Sequence, residues 1–172
     1  MDWIGAVGEG MELKGVTLES FSDSLRGMKA TVNIKSDDSI VVVPAQYAIE
    51  VTNNRPPTPF PDFVPQGLWE KSLWYHRLAF KLLYEYKVVV GDKLPWLKEL
   101  PQSFSTPLHW SSKQIDQLQY GSLKNKVIMQ SKDWGEFYSN WQGQIAKNDV
   151  TYSDFVWAVE CANSRAFSGE CV

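Results

Sequence analysis

Five of the nine prolines fall between residues 53 and 66, at Pro56, Pro57, Pro59, Pro61 and Pro65. Proline locks φ and has no N–H to donate, so neither a helix nor a paired strand survives that density. The stretch reads as an extended connector leading into a helix. A polyproline ligand motif is the lesser alternative, because a connector already explains the composition. The connector divides the chain by hydrophobic period: β-like alternation before it, helical spacing after it.

Before the connector, Met11 to Phe21 alternates through Met11, Leu13, Val16 and Leu18, with turn residues at Gly10 and Gly15. Met28 to Ile34 forms the next expected strand. Ser36-Asp37-Asp38-Ser39 is a turn, since these side chains bond their own backbone. Ile40 to Val43 is four apolar residues closed by Pro44, the pattern of a buried strand.

After the connector, Leu68 to about Val89 is apolar over most of its circumference, which predicts one buried helix ending at Gly91. His76 lies within it and is expected to be packed and hydrogen-bonded. Pro95 opens a short helix, Trp96 to Leu100, and Pro101 stops it. Ser111 and Gln114 have capping-box spacing. A long helix is expected from Leu123 to Ala146, carrying Val127, Met129, Trp134, Phe137, Tyr138 and Trp141. A last helix runs from Thr151 or Ser153 to Phe167. The aromatic stripes read as core.

Composition removes several classes of function. The chain has 172 residues, a net charge of −3 and 13% aromatic residues. It is too apolar to be disordered, and it lacks the basic balance of a nucleic-acid binder. No apolar run approaches the roughly 20 residues that span a bilayer. The first twenty residues carry four acidic side chains and no arginine, unlike a targeting peptide. Cys161, Cys171, His76 and His109 are scattered rather than paired, so no metal site is expected. Cys161 reads as a buried thiol, and nothing calls for an oxidising compartment. The expected location is intracellular, with plastid, cytoplasm and nucleus left open.

No phosphate loop, serine elbow or carboxylate pair is present. The residues alone predict an α+β fold, with a small antiparallel β unit over 11–44 and helix exceeding strand at least twofold. Gly27, just before a strand, is a place where backbone can approach a ligand, although on the residues alone a plain turn glycine is the favoured reading.

Taken together, four segments resemble the SET-domain protein-lysine methyltransferases of the Rubisco large-subunit methyltransferase-like subfamily. Leu25 to Thr31, then Ile34-Lys35, then Ile40 to Pro44, is similar to the opening of a SET domain. Leu94-Pro95-Trp96-Leu97, Leu100-Pro101 and Thr106 to Ser111 are similar to that subfamily's helical insert, continued by Gln119 to Leu123. Trp157-Ala158 and Ser164-Arg165-Ala166-Phe167 match its next helix, and the Ser-Arg-Ala-Phe end is the most specific of these signals. The order holds over about residues 13–170.

The resemblance implies methyl transfer from S-adenosylmethionine to a lysine ε-amine of a protein. It places Ser24, Leu25, Arg26, Gly27 and Met28 at the cofactor's methionine part. It places Arg165 at the junction of cofactor and lysine channel, as a fork donor to the cofactor carboxylate, and Phe167 as a wall around the lysine stem. Asp23 stands one position from where an acidic residue is expected. The family's later Asn-His segment and terminal tyrosine have no counterpart, and Gly169 and Glu170 replace a basic continuation. The reading is therefore the N-terminal part of such an enzyme, with the C-terminal SET half absent, no catalytic residue assigned and inactivity expected for this chain alone. The expected divisions are a SET-type β unit (1–52), the connector (53–66), a helical insert (67–150) and a final helix (151–172). The competing reading is a non-catalytic structural or interaction subunit within a larger protein assembly. Both give a protein as the partner, and both leave an unpaired strand edge at 28–34 or 40–43 to recruit it.

Overall fold

A computed structural model describes residues 10–23, 25–52, 56–89, 95–145 and 148–168. It is a mixed α and β chain in which helix far outweighs strand. Two compact units are distinguished. The first holds the described residues up to Ala48, with Pro95 and Trp96. The second holds Ile49 to Val89 and Leu97 to Ser168.

The first unit has four strands: β1 (Glu12–Leu13), β2 (Val16–Ser20), β3 (Arg26–Ala30) and β4 (Val41–Val42). They form two antiparallel pairs, β1 with β4 and β2 with β3. In the second pair Leu18 faces Met28 and Glu19 faces Gly27. The second strand begins earlier and ends earlier than the expected 28–34. Its length is set by its partner, because Gly15 adopts φ 69° and β2 begins only after it, at Val16. Thr31 N–H donates to the Gly15 carbonyl at 2.9 Å as the last rung. The acidic turn forms as expected: Asp37 takes φ 69° and Lys35 N–H donates to the Asp38 carboxylate at 2.8 Å.

Ile40 to Val43 departs from expectation. Only Val41 and Val42 pair, and all four side chains are exposed, Val43 by 49%. A run of apolar residues is buried only where a second layer covers it, and none of the described residues 10–50 is buried.

The second unit is helical: α1 (Gln66–Lys71), α2 (Trp74–Tyr84), α3 (Ser112–Asp116), α4 (Gly121–Ser139), α5 (Gln142–Ile145) and α6 (Tyr152–Arg165). The single helix expected over 68–89 is broken at Ser72-Leu73. The Ser72 hydroxyl donates to the Leu68 carbonyl, and the Ser72 carbonyl accepts from Arg77 Nε and Nη2 at 3.2 and 3.1 Å. Capture of that carbonyl by a side chain takes it out of the helical ladder. The helix is also not buried all round: Leu73 and Trp74 are exposed. It widens into a π-type turn over Glu85–Val89, and Gly91 lies outside the described residues. A 3-10 helix covers Pro95–Glu99. The helix expected over 123–146 stops at Ser139 and resumes as the short α5. Met129 on α4 is exposed rather than core.

The connector contributes to the core. Phe60, Phe63 and Val64 are buried, Trp69 Nε1–H donates to the Pro56 carbonyl at 2.9 Å, and Phe60 stacks on Tyr84 with centroids 4.7 Å apart. The remaining core is aromatic. Phe80 stacks on Trp141 at 4.8 Å, and Phe137 lies 4.9 Å from Trp141 and 5.7 Å from Phe155. The expected capping box of Ser111 with Gln114 forms in full, and a second one, Thr151 with Asp154, opens α6.

Candidate functional site

The residues assigned to cofactor and substrate fall in both units, and each group is described within its own. Ser24 lies outside the described residues. Leu25 sits in the β2–β3 turn, where its carbonyl accepts from Phe21 N–H at 2.7 Å and Ser22 N–H at 3.2 Å. Its side chain is exposed, as is that of Met28. Arg26 opens β3. Gly27 follows it, and a Cβ there would stand 3.3 Å from the Phe21 ring. The missing side chain thus has a local use: it lets Phe21 fold back across the hairpin. Asp23 is exposed within the same turn.

Arg165 is the last residue of α6, and Phe167 lies beyond it on extended chain. The Arg165 guanidinium donates from Nη1 to Ser164 Oγ at 2.5 Å and sits 5.8 Å from the Phe104 ring centroid. Its Nε and Nη2 have no protein acceptor among the described residues. An exposed guanidinium is a fork donor of the kind that pairs with carboxylates. Phe167 is 98% exposed and makes no wall within its own unit.

A second cluster was not anticipated. Glu160 on α6 is buried, and its carboxylate accepts from Thr106 Oγ1 and faces His109 Nε2 at 2.8 Å. The signal for it was in the sequence: Glu160 is the only charged residue between Phe155 and Asn163. A charge on an apolar helix face requires a partner.

His76 is packed as expected but not hydrogen-bonded. Its ring stacks on Phe137 at 3.9 Å, and neither ring nitrogen has a partner. Burial pushes its pKa down to about 4, so it is neutral near pH 7. Cys161 is buried as expected. Burial pushes its thiol up to about 11, the Arg165 charge lowering it and Glu160 raising it. It is therefore a core thiol and not a nucleophile. Cys171 lies outside the described residues. Among the described residues no cluster of metal ligands is found, and no helix is long and apolar enough to cross a membrane. An open cleft of about 300 Å³ lies in the first unit between Lys14-Gly15, Val32 to Ile34 and Asp38-Ser39. It sits at the end of the hairpin away from the Gly27 turn.

No family model matches the chain. It is similar to proteins named actin-histidine N-methyltransferase. The one from Xenopus tropicalis is 26% identical over 178 residues, covering 96% of this chain and 30% of the relative. The one from Homo sapiens is 24% identical over 175 residues, covering 96% and 29%. The one from Danio rerio is 24% identical over 161 residues, covering 88% and 27%. The chain thus spans about 30% of the length of these relatives. The similarity supports a protein methyltransferase family.

Proposed function

We propose that the chain is the N-terminal part of a SET-type, S-adenosylmethionine-dependent protein N-methyltransferase, and that residues 1–172 by themselves transfer no methyl group. The observation that carries this is the coverage: 96% of the chain aligns with named protein methyltransferases. The order of the SET-like segments from Leu25 to Phe167 supports the same reading. The Rubisco-like subfamily rests on those segments alone.

S-adenosylmethionine supplies an electrophilic methyl group when bound. The chain's own residues have binding roles. By the resemblance, Arg165 takes the cofactor carboxylate, Leu25 to Met28 offer backbone to its methionine part, and Phe167 offers an apolar wall. Transfer requires acceptor nitrogen and methyl carbon held in line, and loss of part of such a site loses much of the rate. A free lysine titrates near 10.4, so its amine must also be desolvated to become a nucleophile. Few contacts in residues 1–172 offset the cost of immobilising a flexible cofactor.

The acceptor is a protein nitrogen. The SET-like segments favour a lysine amine, whereas the relatives' name favours a histidine imidazole on actin. A non-catalytic interaction subunit is the second reading, favoured by the exposed apolar side chains of the first unit. The test is transfer of labelled methyl from S-adenosylmethionine to cell extract and to actin, followed by acid hydrolysis and amino-acid analysis. We expect no transfer by residues 1–172. We expect transfer by a longer product of the same gene, reduced in Arg165→Ala, with methyl-lysine or methyl-histidine in the hydrolysate deciding the acceptor. Transfer by neither form, together with stoichiometric capture of the short chain in an assembly, establishes the subunit instead.

A further inference from the structure

We propose that Glu160 is a positioning residue: it clamps residues 101–109 onto α6 and thereby holds Arg165 ready for its ligand's carboxylate. The clamp stands on geometry alone, and its purpose rests on the reading given above for Arg165.

Trp157, Glu160, Cys161, Ser164 and Arg165 share one face of α6, being three, four, seven and eight residues apart. Three of them reach the same distant segment. Trp157 Nε1–H donates to the Pro101 carbonyl at 2.7 Å. Glu160 receives Thr106 Oγ1 and His109 Nε2. Arg165 lies over the Phe104 ring. Glu160 is the middle and most buried of the three, its side chain only 4% exposed, and the two groups it joins lie 54 and 51 residues earlier in sequence. A carboxylate in that setting needs its bonds, so it fixes the segment that supplies them.

Arg165 is held at two points, one through the backbone of α6 and one through the clamped segment. Ser164 Oγ donates to the Glu160 carbonyl at 2.7 Å and accepts from Arg165 Nη1 at 2.5 Å. Phe104, two residues before Thr106, underlies the guanidinium. One nitrogen of the fork is thereby held against protein, while Nε and Nη2 meet no acceptor among the described residues. A long side chain fixed before binding loses less freedom when it binds.

The experiment uses the chain labelled with ¹³C-arginine, which has four arginines. The Arg165 Cδ–Hδ signal is identified by its loss in Arg165→Lys. We expect the Phe104 ring to displace this signal upfield, and the displacement to vanish in Phe104→Leu and equally in Glu160→Gln. The indole signals of Trp69 and Trp134, in the core away from the clamp, should stay in place. An Arg165 signal that stays displaced in Glu160→Gln overturns the clamp. Should Glu160→Gln not fold, Thr106→Val and His109→Leu each remove one bond to the carboxylate and are read by the same two outcomes. The purpose is read separately, on a methyl-transferring longer form. Glu160→Gln should raise the KM for S-adenosylmethionine roughly tenfold, the scale of one charge-assisted hydrogen bond, with kcat held. An unchanged KM overturns the role of the clamp in binding. Absence of transfer by any form defeats the functional reading, and the arginine signals still decide the clamp.

Discussion

The two units use apolar residues in opposite ways. In the second, Val64, Ala79, Phe80, Leu83, Phe155, Ala158 and Val159 are essentially inaccessible, and aromatic rings meet at stacking distance. In the first, Leu18, Phe21, Leu25, Met28, Val32 and Ile40 to Val43 are all exposed, and the strands make two separate pairs. Two-stranded pairs are marginal alone and gain stability only from a covering layer. The lesson is that stability and candidate cofactor contacts are unequally distributed. The helical unit has a core of its own, while the Leu25–Met28 turn sits among strands whose described apolar side chains are exposed or half-buried.

The largest test of that contrast is deletion within each unit. Phe80→Ala or Phe155→Ala removes a ring from the stacked core and should cost about 3–5 kcal/mol in chemical denaturation. Val42→Ala removes an exposed side chain and should cost under roughly 0.5 kcal/mol. Comparable losses would show that the β unit is packed as tightly as the helices.

His76 provides the next effect in size. Its folded pKa of about 4 lies below the ordinary 6.5, and burial is the cause. The unfolded chain therefore takes up a proton that the folded chain refuses. The stability this gives is fully present above pH 6.5 and is lost as pH falls from 6.5 towards 4, by up to about 3 kcal/mol. His76→Leu removes that slope. It should also stabilise the protein at pH 7 by about 1 kcal/mol or more, since two buried nitrogens without partners disappear. Parallel stability–pH curves for the two proteins would refute the assignment.

Much of the helical unit was legible because its signals are local. Ser111 with Gln114 is read from a short spacing and forms in full, and of the two starts open for α6, Thr151 or Ser153, Thr151 is the cap. The acidic turn at Lys35 to Asp38 was legible for the same reason. The break at Ser72 was not, because an apolar helical pattern runs through it. It depends on an arginine five residues on reaching back to one carbonyl. The exposure of Ile40 to Val43 was not legible either, since four apolar residues look alike whether or not another layer covers them. At the candidate site, Gly27 and Arg165 are assigned through motif order alone. The Thr106–His109–Glu160 cluster joins residues over fifty positions apart, and only the isolated charge of Glu160 announced it.

A cap tests the helical unit more gently. Thr151 accepts from Asp154 N–H at 3.1 Å while Asp154 accepts from Thr151 N–H at 2.8 Å. Burial alone would raise the Asp154 pKa, but the Thr151 bonds and Lys87, 3.2 Å away, outweigh it and hold the carboxyl below its ordinary value. Thr151→Ala should cost about 1 kcal/mol by thermal or chemical denaturation. The Asp154 contribution is present above the ordinary carboxylate pKa near 4 and is lost as pH falls through the depressed folded value. Asp154→Asn should therefore flatten the acid limb of the stability curve; an unchanged limb would mean that Asp154 is not the group responsible.

The smallest effect on stability is expected from the hairpin, and it sharpens the comparison most. Leu18 and Met28 face each other across β2 and β3 with both side chains exposed. Replacing both by threonine keeps β-propensity and removes apolar surface from water, so folding stability should change by less than about 0.5 kcal/mol. Self-association should respond differently. Exposed apolar strands with unpaired edges recruit other chains, so we expect the wild-type chain to show concentration-dependent sedimentation and the Leu18→Thr, Met28→Thr variant to sediment closer to a monomer. Amide exchange gives the matching local view: the β2–β3 amides should exchange faster than those of α6, because the hairpin opens without disturbing the helical core. A monomeric wild type with hairpin amides as slow as those of α6 would mean that the β unit is stable as it stands and that its apolar face needs no cover.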